Sequence, residues 1–569
     1  MCHPFLCCIV LFLCNFLNAA GQSRYAVVIT EFLPDPSPAI GLPDASFVEL
    51  KNISAAEIQL QGWTIGNGHV HAEIKSPCLI KPDSFLILCS RTAENAYSAF
   101  GPVLGLTGFP ALDNDEGEVL LCRADGSVIH GLHYDKSWFD NPLKAAGGWS
   151  LEIKDPELPC VEKSNWTAST SPSGGSPGRK NLAQPGDISE DAPVLLRSFA
   201  MDSLHIILQF SRITDSGSAE TVSHFMISPG IGQPLKATTL PPFYDKVMLE
   251  LSQPLVKGQV YSVSAEGISG CNRSENNISG KCPTGLAADA KPGDLIINEL
   301  LFNPPPLGFD YLELYNNSKK ILRLADIYVA SAGADGSIKP PVRITEDEWS
   351  VYPGEFILLT EDPGWIITNY PTAVAAALLK MATLPSMPDD AGKVFLLNRD
   401  GQVLDEVDYD HHWHSPLLTS ESGVSLERIS PDAASSLGAN WSSASTSTGY
   451  GTPGYKNSMA FTDEVSPEWL SADPKIFSPD QDGYRDYCFI HYQLDGPGYT
   501  GSLTIYDING RLIRRLADHS IWGVSGMYRW DGLDDMSRPQ APGHYILFAE
   551  LFQLSGKIIR KKLVVTLAG

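Results

Sequence analysis

The amino-acid sequence predicts an all-β protein made of tandem Ig-like β-sandwich domains. Its 569 residues include 49 Gly and 42 Pro, which favours many turns and few long helices. Short apolar or alternating runs are separated by Asp-Gly, Pro-Asp and Pro-Gly turn signals, a pattern typical of short antiparallel strands. A chain of this length exceeds what one hydrophobic core fills, so we expect roughly three to five domains.

An internal repeat defines the domain organisation. VVITEFLPDPSPAIGLPDASFVELKN, which starts at Val27, matches LIINELLFNPPPLGFDYLELYNN, which starts at Leu295. Further matches follow in order, including KPDSFLILCS with YPGEFILLTE and GWSLEIKDP with GVSLERISP. Both copies close with Asn-Trp, a Ser/Thr/Gly run, Pro-Gly and Lys-Asn, and the two tryptophans are Trp166 and Trp441. The sequence therefore predicts two copies of one sandwich.

Two Asp-Gly pairs predict tight hairpins inside the repeat. Asp125-Gly126 and Asp400-Gly401 occupy matching places, and each joins two apolar runs. Asp-Gly is among the preferred sequences for a short turn between antiparallel strands. We therefore expect one such hairpin in each copy.

The repeat resembles the lamin-tail domain family, in its bacterial exported branch. The shared pattern is an N-E-(apolar)-N-P opening, an aromatic-(apolar)-E-L-x-N strand and a closing N-W…GTPG…N. The second copy carries every part, whereas the first has Thr30 where the second has Asn298, and a longer loop before Phe47. The resemblance implies lamin-tail domains at 22–183 and 292–458, with an interaction role and no active site.

Two other modules accompany the repeat. Residues 188–288 form another strand-and-turn series and resemble the bacterial Ig-like domains of surface-layer and other exported proteins, which act as spacers. Residues 470–569 carry FSPDQDGYRD, IYDINGRLIR and a W-D-G…P-G-H-Y hairpin. These motifs resemble the Ig-like domain of flagellar hook-capping proteins and the C-terminal domains that direct type IX secretion in Bacteroidetes. The resemblance implies contact with secretion machinery.

The first residues predict export. The run from Phe5 to Leu17 is almost free of polar residues and is followed by Ala19-Ala20-Gly21, which predicts a signal peptide over 1–21. No later run has the roughly 18 apolar residues of a membrane helix. A net charge of −25 repels phosphate backbones and disfavours nucleic acid as a partner. We expect the chain at the outer cell surface or outside the cell.

Cysteine spacing predicts one disulfide. Cys271 and Cys282 bracket a short Asn/Gly/Ser loop and are the candidate pair in an oxidising compartment. Seven cysteines follow the signal peptide, so an odd number leaves one thiol free or paired between chains. A zinc site needs closely spaced ligands such as CxxC, and the sequence has none.

Three aspartates form a candidate calcium site. Asp480, Asp482 and Asp486 surround Gly483 in a DxDGxxD pattern, and carboxylate oxygens are the ligands that calcium prefers. The pattern lacks the distant bidentate Glu of an EF-hand loop. The alternative is a turn whose carboxylates cap its own backbone amides.

The repeat also places glutamates on neighbouring strands. Glu31 with Glu49, and Glu299 with Glu313, invite an acid–base interpretation, which requires an open cleft and a raised pKa. A sandwich strand offers no cleft. The resemblance instead implies that these glutamates are structural and anchor loop amides through charge-assisted hydrogen bonds. Trp166 and Trp441 are likewise expected to be structural.

A third cluster consists of histidines next to Trp413 in the sequence: His411, His412 and His414. Their imidazoles could ligate a transition metal. On an extended strand neighbouring side chains alternate, so His412 and His414 would share the metal and His411 would not. A surface turn held by the tryptophan is the favoured interpretation. The sequence has no GxSxG, HExxH or phosphate-binding loop, and no catalytic residue is predicted.

These features predict a non-enzymatic, adhesion-like binding or scaffold protein of the cell surface, with no cofactor except the candidate calcium. The expected partner is a surface polysaccharide or protein. The alternative is an accessory protein that binds substrate for an exported hydrolase or nuclease.

Overall fold

The computed structural model describes residues 24–183, 188, 192–270, 278–461 and 468–569. They form β-strands joined by turns and a few short helices, in sheets of two to six strands. The chain divides into two compact units, Met1–Pro254 with Tyr261–Thr284, and Leu255–Val260 with Gly285–Gly569. The all-β, tandem sandwich prediction is confirmed, whereas the predicted module boundaries stay predictions.

The first copy of the repeat forms two main sheets. Their orders are β12-β11-β1-β2-β7-β8 and β10-β9-β4-β5, with β3 and β6 as a separate pair. The strands are β1 Val27–Leu33, β2 Phe47–Asn52, β3 Ile58–Gln59, β4 Thr64–Gly66, β5 His71–Glu73, β6 Leu79–Ile80, β7 Phe85–Ser90, β8 Val103–Leu106, β9 Glu116–Cys122, β10 Val128–Asp135, β11 Leu151–Ile153 and β12 Trp166–Ala168, with helix α1 Glu94–Tyr97. Apolar side chains from both sheets form one core.

The segment that follows the first copy forms a smaller sandwich. A four-stranded sheet, β13-β14-β17-β16, accompanies a three-stranded sheet, β15-β18-β19. The strands are β13 Leu195–Ala200, β14 His205–Phe210, β15 Phe225–Ser228, β16 Lys236–Leu240, β17 Lys246–Glu250, β18 Tyr261–Ile268 and β19 Ile278–Thr284, with helix α2 Ser216–Ala219. Buried Ile206 and Leu208 of β14 alternate with more exposed neighbours, as period-two patterning requires.

The second copy repeats the architecture of the first. Its sheets are β27-β26-β21-β20-β30-β31 and β24-β23-β28-β29, with β22 and β25 as a pair. The strands are β20 Leu295–Leu301, β21 Tyr311–Asn316, β22 Leu322–Arg323, β23 Ile327–Ser331, β24 Val342–Arg343, β25 Ser350–Val351, β26 Phe356–Thr360, β27 Leu378–Lys380, β28 Ala391–Asn398, β29 Val403–Asp410, β30 Leu426–Arg428 and β31 Trp441–Ser443, with helix α3 Pro363–Asn369. One large cluster of buried side chains forms its main core, and two smaller clusters lie outside it.

The last strands form two sheets, β32-β34-β37 and β33-β39-β38-β35-β36. The strands are β32 Leu470–Asp473, β33 Ile476–Phe477, β34 Cys488–Gln493, β35 Tyr499–Asp507, β36 Leu512–Trp522, β37 Ser525–Trp530, β38 Gly543–Gln553 and β39 Ile558–Leu567. Trp522 and Trp530 are fully buried in the core between them. Among the described residues, no helix is long and apolar enough to cross a membrane.

Both predicted Asp-Gly hairpins are confirmed. β9 pairs with β10 and β28 pairs with β29, both antiparallel, and each connection contains the Asp-Gly pair. Gly126 has φ +83° and Gly401 has φ +77°, a left-handed conformation that glycine adopts without a steric penalty. The turn chemistry in the sequence therefore fixes these two connections.

A β-bulge interrupts the central strand of each copy at the same place. The register shifts between Ile29 and Glu31 in β1, and between Ile297 and Glu299 in β20. The amide of Ile29 donates to His130 Nδ1 at 2.8 Å, and the amide of Ile297 donates to an oxygen of Asp405, also at 2.8 Å. The bulge leaves an amide without a strand partner, and a side chain of the facing sheet accepts its hydrogen bond.

Trp441 packs at the edge of the second core. Its indole N–H donates to the carbonyl oxygen of Ser435 at 2.9 Å, and its ring lies 6.3 Å from that of Trp413, nearly parallel to it. The guanidinium carbon of Arg428 lies 5.2 Å from the centre of the Trp441 ring. Trp166 has the matching place in the first copy, 6.1 Å from Trp138.

We predict that Trp441→Ala lowers the free energy of unfolding of the second copy by about 3–5 kcal/mol, because the change opens a cavity in the core. Leu437→Ala is the matched control, since Leu437 is 53% exposed. Its effect should stay within about 0.5 kcal/mol. Urea unfolding followed by tryptophan fluorescence measures both, and equal effects of the two variants would contradict the packing described here.

Candidate functional site

Each copy of the repeat buries a row of three glutamates across three neighbouring strands. Glu31 lies opposite Glu49 on one side and opposite Glu152 on the other, and Glu299 lies between Glu313 and Glu427 in the same way. All six side chains are 0% exposed. We refer to each set as a glutamate row. Sequence analysis missed Glu152 and Glu427, although both stand in the shared Ser-Leu-Glu motif of the repeat.

Glu299 at the centre of the second row is surrounded by donors. Its Oε1 accepts hydrogen bonds from the hydroxyls of Tyr311 at 2.6 Å and Ser425 at 2.5 Å, and from the amide of Thr452 at 3.0 Å. Its Oε2 accepts from the Thr452 hydroxyl at 2.8 Å. Buried carboxylates need this density of donors because the charged form is otherwise strongly disfavoured away from water.

The outer members of the second row accept backbone amides. Glu313 accepts from the amide of Gly454 at 2.5 Å, and Glu427 accepts from the amide of Met459 at 2.8 Å. The hydroxyl of Ser458 also donates to Glu427 at 2.8 Å. The donors come from residues 450–459, which we call the closing segment of the second copy.

The first row binds the closing segment of the first copy, residues 174–183, in the same way. Three of its amides each bind one carboxyl of the row, Ser176 to Glu31 at 2.8 Å, Gly178 to Glu49 at 2.5 Å and Ala183 to Glu152 at 2.8 Å. Hydrogen bonds to charged acceptors each contribute about 1.5–3 kcal/mol. The rows therefore hold the end of each copy against the middle of its six-stranded sheet.

The contacts of Thr452 favour one proton shared between Glu299 and Glu427. Thr452 Oγ1 lies 2.8 Å from Glu299 Oε2 and 2.9 Å from Glu427 Oε1, yet a hydroxyl has only one hydrogen to donate. The other contact requires a protonated carboxyl that donates to Thr452. Burial, reinforced by the charge of Glu299, raises the pKa of Glu427 to about 8, which favours a proton in this pair at neutral pH.

Glu313, the third member of the second row, lies outside the pair that Thr452 bridges. Burial and the charge of Glu299 raise its pKa well above the usual value. However, its two oxygens face N–H donors, the Asn298 side chain at 2.8 Å and the Gly454 amide at 2.5 Å. One N–H donor to each oxygen opposes this rise, because such hydrogen bonds favour the charged carboxylate.

The rows do not form an open acid–base site. A general acid or base must come within hydrogen-bond reach of a substrate, and all six carboxyl groups are closed to solvent. Burial is the first cause of the raised pKa of Glu49, which is about 8. The rows can therefore hold protons and loop amides, but a substrate has no route to them in this structure.

The three aspartates of the candidate calcium site lie together in the turn between β33 and β34. One carboxylate oxygen from each of Asp480, Asp482 and Asp486 lies within 4.8 Å of the others. The two oxygens of Asp486 accept the amides of Gln481 at 2.7 Å and Gly483 at 3.0 Å. The turn thus caps its own backbone. Three carboxylates are also a donor set that calcium accepts, so the calcium site stays a prediction.

The histidines lie on a turn, as the favoured interpretation predicted, and only the extended strand assumed for the metal alternative is wrong. His411–Trp413 form a turn of 3₁₀ helix, whereas the prediction assumed an extended strand. The rings of His411 and His412 therefore lie on one side, with centres 4.0 Å apart, while His414 is buried and its Nδ1 lies 2.9 Å from Ser443 Oγ. The expected pairing of His412 with His414 is not formed.

The disulfide prediction is contradicted. Cys282 is a buried free thiol, whose pKa burial raises to about 11. Its predicted partner, Cys271, lies outside the described residues. Cys160 is disulfide-bonded instead, so spacing along the sequence misidentified a cysteine that pairs.

Comparisons with known proteins give no family assignment. No family model matches the chain, and no curated protein matches it. Among solved structures, the N-terminal part of the bacterial S-layer protein SbsC is 14% identical over 29% of this chain and 39% of its own length, with a TM-score of 0.15. The chain thus spans less than half of that structure.

Two further solved structures also match parts of the chain. A DUF4876 family protein from Bacteroides thetaiotaomicron is 12% identical over 41% of this chain and 86% of its own, with a TM-score of 0.17. PorZ, a surface component of the type IX secretion system of Porphyromonas gingivalis, is 11% identical over 80% and 56%, also with a TM-score of 0.17. The fold assignment therefore rests on the strand pairing described above.

We predict that the free energy of unfolding of the second copy falls as pH rises from about 5 to 9. In the unfolded chain a glutamate loses its proton near pH 4.3. Folded Glu427 keeps a proton up to about pH 8, so the folded state binds more protons between these values. The stabilisation that this proton provides is therefore fully present below the pKa of the unfolded glutamate. It is lost as pH rises through the pKa of Glu427 in the folded state. Urea unfolding at several pH values measures this slope.

Glu299→Gln should flatten the pH dependence. The new amide can donate to Thr452 and so imitate the protonated carboxyl, with Thr452 donating to Glu427. Glu313→Gln is the matched comparison, because its amide N–H must face another N–H donor. That variant should lose about 1–3 kcal/mol at every pH. An unchanged slope in Glu299→Gln would exclude a shared proton at this position.

Proposed function

We propose that this chain is a non-enzymatic, exported protein of the bacterial cell surface, which binds or scaffolds through repeated lamin-tail modules. One observation carries the proposal: the six repeat-associated carboxyls that could perform acid–base chemistry are fully buried acceptors of their own closing segments. Such carboxyls stabilise a sandwich and leave its outer surface available for a partner.

The modular order supports a scaffold role. Two copies of one sandwich occur in a single chain, with a different sandwich between them in the sequence. Two weak contacts to a repetitive polymer reinforce each other, since the second contact forms within an already bound complex. A surface polysaccharide is therefore the partner we favour over a single compact protein.

Export rests on the sequence. The apolar run from Phe5 to Leu17 and the small residues that follow have the form of a secretion signal. The sandwich of residues 470–569 is the part we assign to secretion machinery, because it carries the motifs that resemble type IX sorting domains. Its final strand, with Arg560, Lys561 and Lys562, is basic in an otherwise acidic chain.

We predict that the protein is found at the surface of intact cells. Cell fractionation and protease treatment of intact cells should locate it outside the inner membrane, where added protease degrades it. A lysate control shows that the protease can cleave it, and a cytoplasmic protein shows that the cells remain closed. Retention of the protein in the cytoplasm would overturn the proposal.

A separate assay tests the absence of turnover. Purified protein should not hydrolyse polysaccharides, peptides or nucleic acids, with or without calcium. Reproducible turnover would favour an enzymatic role. Binding to the substrate of a co-secreted hydrolase, without turnover, would favour the accessory alternative.

A further inference from the structure

The turn that follows β29 brings two imidazoles and two carboxyl groups together in the second copy. One potential ligand atom from each of Asp410, His411 and His412 lies within 4.8 Å of the others. The ring centres of the two histidines are 4.0 Å apart. Glu421, in the segment that leads to β30, has its Oε2 3.1 Å from His411 Nδ1. We call these four residues the histidine cluster.

All four side chains of the histidine cluster are accessible from solvent. The exposed fraction is 77% for His412, 47% for Asp410, 37% for His411 and 33% for Glu421. An ion in solution can therefore reach them. The two carboxylates attract a dication, because both carry a negative charge.

The contacts within the histidine cluster suit metal ligation. The carboxylate of Glu421 can only accept a hydrogen bond, so its contact with His411 fixes the hydrogen on Nδ1 and leaves the lone pair of Nε2 for a metal. Metal-ligating histidines almost always have such a partner on their other nitrogen. Asp410 Oδ1 and His412 Nδ1 lie 2.6 Å apart. A metal ion can take the place of the hydrogen between them, with the imidazole hydrogen on Nε2 instead.

The fold of this turn does not require the two histidines. Asp410 caps the 3₁₀ turn, since its Oδ1 accepts the amide of His412 at 2.8 Å. Asp135 accepts the amide of Ser137 at 2.6 Å in the same way in the first copy. There, Lys136 and Ser137 stand in place of the histidines. The turn therefore forms without imidazoles, and the histidine pair is particular to the second copy.

A single carboxylate partner is ordinary for an exposed histidine in this chain. His519 Nδ1 lies 2.8 Å from Asp518, and His205 Nδ1 lies 2.9 Å from Asp202. Within the described ranges, neither pair belongs to a group of three potential ligands. The histidine cluster differs because a second imidazole lies beside its carboxylate–histidine pair.

The donor atoms indicate which class of ion fits. Imidazole nitrogen suits zinc, copper and nickel, whereas calcium and magnesium take oxygen ligands. Ligand atoms lie about 2.0–2.1 Å from a tetrahedral zinc ion, and hence roughly 3.3 Å from each other. The potential ligand atoms of the cluster already lie within 4.8 Å of one another. Small rotations of exposed side chains are therefore enough to bind zinc.

We propose that the histidine cluster binds a divalent transition metal ion of the zinc type. His411 would supply Nε2, His412 would supply Nδ1 and Asp410 would supply a carboxylate oxygen. Glu421 would be a positioning residue that orients His411, and water would occupy the remaining coordination positions. This inference goes beyond the proposed surface role and does not depend on it.

Calorimetric titration with zinc tests the proposal on the chain without its predicted signal peptide, residues 22–569. We expect one strong site, from which an equal concentration of calcium does not displace zinc. His411→Ala and His412→Ala should each weaken zinc binding about tenfold or more, because each removes a ligand. Unchanged zinc affinity in either variant would overturn the proposal, and so would displacement of zinc by calcium.

The matched control is His519→Ala, which removes an exposed histidine that has a carboxylate partner but lies outside the cluster. Its zinc affinity should equal that of the unchanged protein, and a loss equal to that of His411→Ala would contradict the assignment. Glu421→Ala should weaken zinc binding about tenfold through the orientation of His411. Thermal unfolding of the metal-free variants should match that of the unchanged protein, which separates an effect on the site from an effect on the fold.

Chemical modification tests the same site without any substitution. Diethyl pyrocarbonate reacts with accessible imidazoles, and mass spectrometry identifies the modified residues. Zinc should protect His411 and His412 at a concentration that leaves His519 reactive. Equal protection of all three histidines, or protection of none, would overturn the proposal. Neither result bears on the cellular location, so failure of the metal site leaves the surface role standing.

Discussion

Three carboxyl groups buried side by side are the constraint around which each copy of the repeat is organised. Carboxyls cannot be removed from water without donors, and the sheet that carries them has already used its amides in strand pairing. The donors come from a segment distant in sequence, since 145 residues separate Glu31 from Ser176 and 153 separate Glu299 from Thr452. Each sandwich is therefore complete only when its last residues are in place.

The same constraint explains why the central strands are buried on both faces. All seven residues of β1 and of β20 are buried, although each strand includes a polar residue and a glutamate in its middle. One face packs on the apolar core, and the closing segment covers the other. A bulge allows the strand to pack on the core with one face and to bind the closing segment with the other. It turns a glutamate toward the closing segment without disturbing the apolar side chains around it.

On this common scaffold, small substitutions give the two copies different buried contacts beside the glutamate row. The bulge amide is accepted by His130 in the first copy, where burial lowers the histidine pKa to about 4, and by Asp405 in the second. Thr30 or Asn298 at the bulge decides whether the neighbouring asparagine oxygen is paired. The two copies thus share the glutamate row that holds the closing segment, whereas the residues at the bulge beside the row differ. Such a repeat keeps its fold and varies its local contacts.

The sequence by itself determined the all-β class, the repeat and the Asp-Gly hairpins, because strand periodicity and turn chemistry act between neighbouring residues. It also marked four of the six row glutamates. Only the tertiary structure decided which third carboxyl completes each row, that the histidines lie on a 3₁₀ turn, and that Cys282 is a free thiol. These features depend on contacts between residues far apart in the chain. The effect of Thr30 is of the same kind, since it leaves the side-chain oxygen of Asn181 without a partner.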